Sequence, residues 1–321
     1  MLDAPEDDTP SIGGTGELIS RWGGFVNGSY TSGRQAASTQ AAGGAAGTKR
    51  DFDVVGVTAG VDYRKSANWV LGAALGYNAF DSDLADAGRL ETKALTLSTY
   101  TSFYPLERLY VDARLSLGRT QMESTRRIVI RNLVDATARG KTSVSQYSVA
   151  LATGYQLNRG AWNFTPNASL RTSRSNVDAF TETGAGDNSA RFASQSGDST
   201  QFSLGIQLSR AISLSRGVLL PQFDVALTRE LNDQGFELDA SLLGAPNVRI
   251  RTRAEAPDQS FGNAGLGLVF VTSNGRQFYL SYRRLFGADG LERGCLNLRG
   301  RFEFLCLILT ECAPCCRFQR W

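Results

Sequence analysis

The sequence predicts an all-β protein: a transmembrane, up-and-down antiparallel β-barrel of about twelve strands. Three observations lead to this fold class. Apolar and polar residues alternate with a period of two along most of the chain, which is the pattern of strands with two unlike faces. Short turns alternate with long polar segments as the connections between those strands. Aromatic residues recur near the ends of the apolar faces.

Twelve segments carry the alternation. In 109–117, for example, every second residue from Leu109 to Leu117 is apolar, while Asp112 and Arg114 lie on the other face. Most segments exceed the ~5–6 residues typical of soluble strands and approach the ~9–11 that cross a membrane at a tilt. The predicted strands are 22–30, 52–64, 69–81, 92–104, 109–117, 147–157, 162–171, 201–209, 218–231, 261–272, 276–286 and 295–304.

The connections between these strands alternate in length. Tight turns are expected at 65–68, 105–108, 158–160, 213–217 and 273–275, and longer loops at 31–51, 83–91, 122–141, 178–197, 232–258 and 287–292. In a meander this rhythm places all short turns at one end, as in outer-membrane barrels with short periplasmic turns and longer extracellular loops. With twelve strands, both termini are then periplasmic and the long loops extracellular.

A soluble β-sandwich also alternates, and it stays open as an alternative. Its strands are usually shorter, and its connections lack the long–short rhythm. The aromatic residues near strand ends favour the membrane barrel, because such residues form girdles at lipid interfaces. They are Tyr63, Trp69, Tyr77, Phe103, Tyr155 and Trp162.

The cost of charge in lipid decides which face lines the interior. An arginine on a lipid-facing position at the bilayer midplane costs about 2–4 kcal/mol, and several arginines lie mid-strand on the polar face. That face is therefore predicted to line a wet lumen, where arginines can pair with carboxylates or water. The lumen-facing charges are predicted to be Asp62, Asp112, Arg114, Arg171, Asp224, Arg299, Arg301 and Glu303.

Composition excludes much catalytic chemistry. The chain of 321 residues contains no histidine, so it can build neither a Ser-His-Asp relay nor a His-ligated metal site. A barrel enzyme would need an unusual relay, and no such pair is visible. We expect no enzymatic activity, no cofactor and no metal, and the formal net charge of +3 is too small to indicate a nucleic-acid partner.

Both ends of the chain differ from the barrel segment 22–304. Residues 1–21 are acidic and glycine-rich and predict a linker, with a short helix near Glu17 as an option; no signal peptide is recognised. Residues 305–321 contain four of the five cysteines. A Cys₄ metal site is one interpretation of this tail, but the crowded spacing favours a segment outside the fold.

The stretch 52–83 resembles the second and third strands of autotransporter translocator domains. It presents a Gly-x-x-x-Gly-x-Asp-Tyr strand, a short turn, and a glycine-rich strand ending in Gly-Tyr; the matching residues are Gly56, Gly60, Asp62, Tyr63, Trp69, Gly72, Gly76 and Tyr77. The segments 203–230, 263–287 and 296–304 resemble the later hairpins and the last strand of that family.

This resemblance implies a twelve-stranded outer-membrane barrel with an N-terminal linker or helix in or near its lumen. It implies that the barrel brings a passenger to the cell surface, with barrel-assembly machinery and periplasmic chaperones as helpers and membrane lipid and lipopolysaccharide as surroundings. The last strand would carry the assembly signal, at Leu296, Leu298, Phe302 and Phe304. A small porin or adhesin-like barrel is the alternative.

Three departures from the family pattern qualify the resemblance. The sequence shows neither a passenger nor a signal peptide, so it corresponds to the translocator end of a longer protein. No adjacent asparagine pair is present, so the linker cleavage of some relatives is not expected. Seventeen residues follow Phe304, whereas family members usually end at that phenylalanine.

Overall fold

A computed structural model describes residues 21–35, 50–84, 88–130, 133–232, 237–253 and 259–304. The linker 1–20 and the tail 305–321, on which two predictions depend, lie outside this description. The twelve barrel strands are β1 (Trp22–Gln35), β2 (Arg50–Ser66), β3 (Trp69–Leu84), β4 (Gly88–Leu106), β5 (Leu109–Ile130), β6 (Val134–Tyr155), β7 (Trp162–Val177), β8 (Gln195–Arg210), β9 (Gly217–Glu230), β10 (Ser260–Thr272), β11 (Gln277–Phe286) and β12 (Leu291–Phe304).

These strands form one closed antiparallel sheet. Each strand pairs with its neighbours in sequence, β7 pairs with β8, and β12 pairs with β1 from Trp22↔Phe304 to Gln35↔Leu291. Closure satisfies the backbone groups that an open sheet edge would expose to lipid. The predicted twelve-stranded barrel is confirmed, and the soluble sandwich is wrong.

The large apolar side chains mostly point outward. Leu75, Leu97, Leu204 and Leu266 are each more than half exposed on the outer wall, and Phe52, Val269 and Leu285 are among the few large apolar residues buried inside. A water-soluble protein would hide such a wall, whereas lipid solvates it. Within the described residues, no helix is long and apolar enough to cross a membrane.

Aromatic residues edge this wall at two levels. At the end with the short turns, here the turn end, Trp22 contacts Tyr63 at 4.9 Å between ring centroids, and Trp69 contacts Phe103 at 6.1 Å. Tyr77 lies eight residues along β3 from Trp69. At ~3.4 Å per residue and a ~35–45° tilt, the two levels are about 20 Å apart, close to the apolar band of membrane barrels.

The end with the long connections, here the loop end, contains more regular structure than the sequence predicted. The prediction of a loop at 122–141 is wrong, because β5 and β6 are each 22 residues long and stay paired to Ile130↔Val134. Their outer halves mix polar and apolar residues without the regular alternation of the inner halves. Outside the lipid, two paired strands need only the hydrogen bonds between their backbones. The sequence therefore has no continuous apolar face there that would identify them as strands.

The predicted loops 178–197 and 232–258 also contain strands. They form a separate four-stranded sheet in the order Ala245–Arg253, Glu237–Leu242, Ala190–Phe192 and Phe180–Thr181. Arg249 and Arg251, within the predicted loop 232–258, lie on this sheet, and their guanidinium groups are 3.1 and 3.7 Å from Asp239 Oδ2.

A buried carboxylate and nearby backbone hydrogen bonds fix this extramembrane sheet to the barrel. Glu182 is 3% exposed; it accepts hydrogen bonds from Arg126 Nη2 at 2.6 Å and from the Ala190 backbone N–H at 2.9 Å. Arg139 and Thr183 exchange backbone hydrogen bonds beside it. Loop 178–194 is therefore held against the outer half of the β5–β6 hairpin.

Candidate functional site in the barrel lumen

A cavity of about 1230 Å³ lies in the interior of the barrel. Inward-pointing residues of the strands line it, many of them small and polar, such as Ser98, Ser116 and Ser148. Because side chains alternate between the two faces of a strand, the apolar outer positions and these polar inner positions come from the same sequence pattern. The cavity is therefore polar inside, and the barrel wall is apolar outside.

Asp62 and Arg301 form a two-pronged ion pair near the turn end. Arg301 Nη1 lies 2.6 Å from Asp62 Oδ2, and Nη2 lies 2.8 Å from Oδ1. The pair reaches across β1 at Gly23, where a Cβ atom would lie 2.8 Å from Asp62 Oδ1 and 2.9 Å from Arg301 Nη2. Glycine at this position is what lets the two side chains meet.

Asp224 and Arg283 repeat this arrangement three strands away, across β10. In register, Gly265 lies between Asp224 on β9 and Arg283 on β11. Arg283 Nε is 3.2 Å from Asp224 Oδ2, and a Cβ at Gly265 would lie 2.5 Å from Asp224 Oδ1. In both places an acid and a base pair over the inward glycine of the strand between them.

Arg299 belongs to an aromatic cluster in the same part of the lumen. Its guanidinium carbon is 5.1 Å from the centre of the Phe25 ring, which lies 6.3 Å from the ring of Tyr100. A cation over an aromatic face is attracted to the ring's negative face. The cluster fills the space beside the Asp62–Arg301 pair and gives this region fixed side chains.

The remaining predicted charges take separate positions. Arg114 and Arg171 line the cavity, with Ala150 directly between them in register. Asp112 lines it nearer the turn end, and its buried Oδ1 accepts no hydrogen bond from a described residue. Glu303 is outside the cavity lining; its Oε2 is 3.8 Å from the Cβ position of Gly275, in a short turn.

The cavity lining is electropositive. Seven arginines and four carboxylates line it, which gives a net charge of +3. Sequence reasoning missed Arg64, Arg108 and Arg283 in this set. Arg283 could have been found by continuing the alternation of β11, whose outward positions are Phe278, Leu280 and Tyr282.

The assembly-signal residues predicted on β12 lie on the lipid-facing wall. Leu296, Leu298 and Phe302 are 44%, 60% and 36% exposed. The Phe302 ring meets Phe278 edge to face at 6.3 Å. Phe304 ends the strand opposite Trp22, and its side chain lies outside the described set.

Among the described residues, no cluster of three or more carboxylates or thiols is placed to hold a metal ion. The described lining presents fixed charges around a polar cavity.

Comparison with known proteins supports this description. No curated protein sequence matched the chain. The translocator domain of autotransporter NalP from Neisseria meningitidis superposes with a TM-score of 0.69 at 16% identity, covering 92% of this chain and 90% of that one. The beta domain of the Bordetella autotransporter BrkA gives 0.65 at 18% identity, covering 88% and 99%.

The transport unit of the autotransporter AIDA-I from Escherichia coli gives a TM-score of 0.56 at 12% identity, covering 95% of this chain and 93% of that one. At these identities the structural likeness shows the fold. The family model described as "Autotransporter beta-domain" matches residues 24–283, most of the chain. The chain therefore belongs to the autotransporter beta-domain family.

Proposed function

We propose that this barrel is an outer-membrane translocator, which passes or anchors an N-terminal passenger at the cell surface. The observation that carries the proposal is a closed barrel with a charge-lined lumen, in a chain of the autotransporter family. Water and fixed charges let a polar, unfolded polypeptide pass without being desolvated in lipid.

Narrowing the lumen tests this role. The chain would be expressed behind a signal peptide and an epitope-tagged reporter, and surface display measured by protease treatment of intact cells. Ala150→Trp with Ala226→Trp places two bulky side chains in the cavity lining. Val149→Trp with Leu227→Trp is the matched control, because these residues lie on the same strands but face outward.

We expect the inward pair of tryptophans to leave the reporter protected from protease, and the outward pair to leave display unchanged. Heat-modifiable gel mobility would verify that both variants form the barrel. Equal display from an assembled inward variant would overturn the passage role.

The orientation follows the same proposal: loop end outside the cell, turn end and both termini in the periplasm. It is supported by short turns at one end and by the larger extramembrane sheet at the other, the usual arrangement of these barrels. An epitope placed between Pro246 and Asn247 should bind antibody on intact cells. One placed in the turn Ser273–Gly275 should bind only after permeabilisation, and the reverse pattern would contradict the orientation.

The N-terminal segment 1–21 is proposed to lie in or near the lumen. It carries five acidic residues and one arginine, a net charge of −4, against the +3 of the cavity lining. Removing residues 1–20 should then raise single-channel conductance in planar bilayers. An unchanged conductance would place the segment elsewhere.

The outward face of β12 is proposed as the signal read by the barrel-assembly machinery, after delivery by periplasmic chaperones. Phe302→Ala and Phe278→Ala remove the two halves of one ring contact, so their stabilities should fall equally. Only Phe302→Ala should slow the appearance of heat-modifiable barrel in cells. If both variants slow it equally, β12 carries no special signal.

A further inference from the structure

Beyond the aromatic level of Tyr77, toward the loop end, the outward face of β4–β9 is basic. Four exposed side chains form this surface, which we call the basic strip: Lys93, Arg119, Arg174 and Arg229. The register places Arg174 directly opposite Tyr147, and Arg229 opposite Phe202. Both aromatic rings are exposed on the outer wall. The charges therefore begin where the apolar band ends.

The strip crosses six neighbouring strands. At ~4.8 Å between strands, it spans about 24 Å along the hydrogen-bonding direction. Arg119 and Arg174 remain well exposed, at 61% and 59% of their side-chain area. A surface of this width is larger than a single ion requires and fits an extended headgroup.

Carboxylates only partly neutralise the strip. Asp178 lies 3.3 Å from Arg119, and Asp198 lies 3.7 Å from Arg174. These acids are about half exposed, and ion pairs between exposed groups contribute little, so either arginine can exchange its partner at small cost. Glu123 lies near Lys93 as well, but it is itself paired with Lys141 at 2.9 Å. With these two included, five basic and three acidic groups leave a net charge of +2.

At the loop end of the neighbouring strands β2 and β3, the outward face is acidic. Strands β2 and β3 carry Asp51, Asp53, Asp81 and Asp83 there, and these acids are only partly matched by Arg34 on β1 and Arg89 on β4. The circumference thus has a basic sector and an acidic sector. A uniform distribution of surface charge for solubility would not be segregated in this way.

We propose that the basic strip binds the phosphates of lipid A, the membrane anchor of lipopolysaccharide. The proposal rests on the orientation given above, which puts the loop end in the outer leaflet. Arginine matches phosphate oxygens with two parallel hydrogen bonds, and aromatic rings are favoured at the level between acyl chains and headgroups. Lipid A carries two phosphates on one disaccharide, so one molecule can engage several side chains of the strip.

Native mass spectrometry of the purified full chain in detergent tests the proposal. The probes are lipid A, chemically dephosphorylated lipid A and phosphatidylglycerol. The test variant carries Lys93→Gln, Arg119→Gln, Arg174→Gln and Arg229→Gln. The matched control carries Arg34→Gln and Arg89→Gln in the acidic sector.

Lipid A should bind the test variant at least about tenfold more weakly than the unaltered chain, and the control variant as tightly. Equal binding of lipid A by the test variant, or equal binding of the dephosphorylated form, would overturn the proposal. Phosphatidylglycerol bound as tightly as lipid A would show general attraction to anionic lipid and would also overturn it.

Two further measurements keep the result interpretable. Heat-modifiable mobility verifies the folded barrel; if the fourfold variant does not fold, Arg119→Gln with Arg174→Gln replaces it under the same expectations. The binding assay contains no passenger, whereas display of the reporter is measured in cells. Loss of lipid A binding with normal display, or the reverse, therefore separates failure of this proposal from failure of the translocator function.

Discussion

The ion pair between Asp62 and Arg301 should respond unequally to loss of its two members. Removing one member of a buried ion pair costs about 3–5 kcal/mol, since the other charge is left without compensation. In Arg301→Leu, the remaining carboxylate is only 4% exposed, so a loss of about 3 kcal/mol is expected. In Asp62→Asn, the remaining guanidinium is 27% exposed and Glu303 is two positions along the chain, on the same inward face, so about 1–2 kcal/mol is expected.

Urea unfolding of the full chain refolded in lipid vesicles, followed by tryptophan fluorescence, measures these losses. The double variant should lose less than the sum of the single variants, because it leaves no buried charge. Asp51→Asn, which breaks the exposed pair with Arg34, is the control and should cost at most about 1 kcal/mol. Equal losses from the two single variants, or strictly additive losses in the double variant, would refute the reasoning.

The remaining predictions concern the wall, the extramembrane loop and pH. Leu115→Arg places a charge on the lipid-facing wall and should cost about 2–4 kcal/mol in the same unfolding assay, while Arg114→Leu on the inward face should cost much less; equal losses would contradict the assignment of faces. Glu182→Ala should expose loop 178–194 to added protease without lowering the barrel's unfolding midpoint, and unchanged cleavage would show that the buried carboxylate does not hold this loop. The hydrogen bond from Lys141 lowers the pKa of Glu123 in the outer half of the β5–β6 hairpin. Its stabilisation is therefore present above the ordinary pKa of glutamate and is lost as pH falls through the lowered value, so amide exchange there should rise below about pH 4; Lys141→Gln should remove this dependence, and an unchanged profile would count against it.

The barrel itself could be predicted because lipid imposes a strict rule on sequence. Outward positions from Leu109 to Leu117 must be apolar, and the residues between them may be polar, so the period of two is visible without coordinates. The same rule placed Arg114 and Asp112 on the inner face. The alternation of short turns and long connections indicated an up-and-down meander. In a meander, strands that are neighbours in sequence pair with each other, so the strand order could be predicted as well.

That rule ends where the strands leave the lipid. The outer half of the β5–β6 hairpin has no continuous apolar face to distinguish it from a loop. Within 232–258, Val248 and Ile250 do alternate with arginines, but this run is shorter than the ~9–11 residues of a membrane-crossing strand. Both segments were predicted as loops. Glu182 has no signal in sequence, because its burial depends on contact with β5 and with Ala190. Only the folded chain brings these segments together.

The sequence by itself determined the strand number, the two faces and the inward position of the charges, because each of these depends on residues two apart on one strand. The tertiary structure decided which charges meet. Asp62 and Arg301 are 239 positions apart, and they pair because closing β12 onto β1 brings their strands within reach over Gly23. The basic strip has the same origin: its four residues are scattered from position 93 to 229, and only the register of six strands places them side by side.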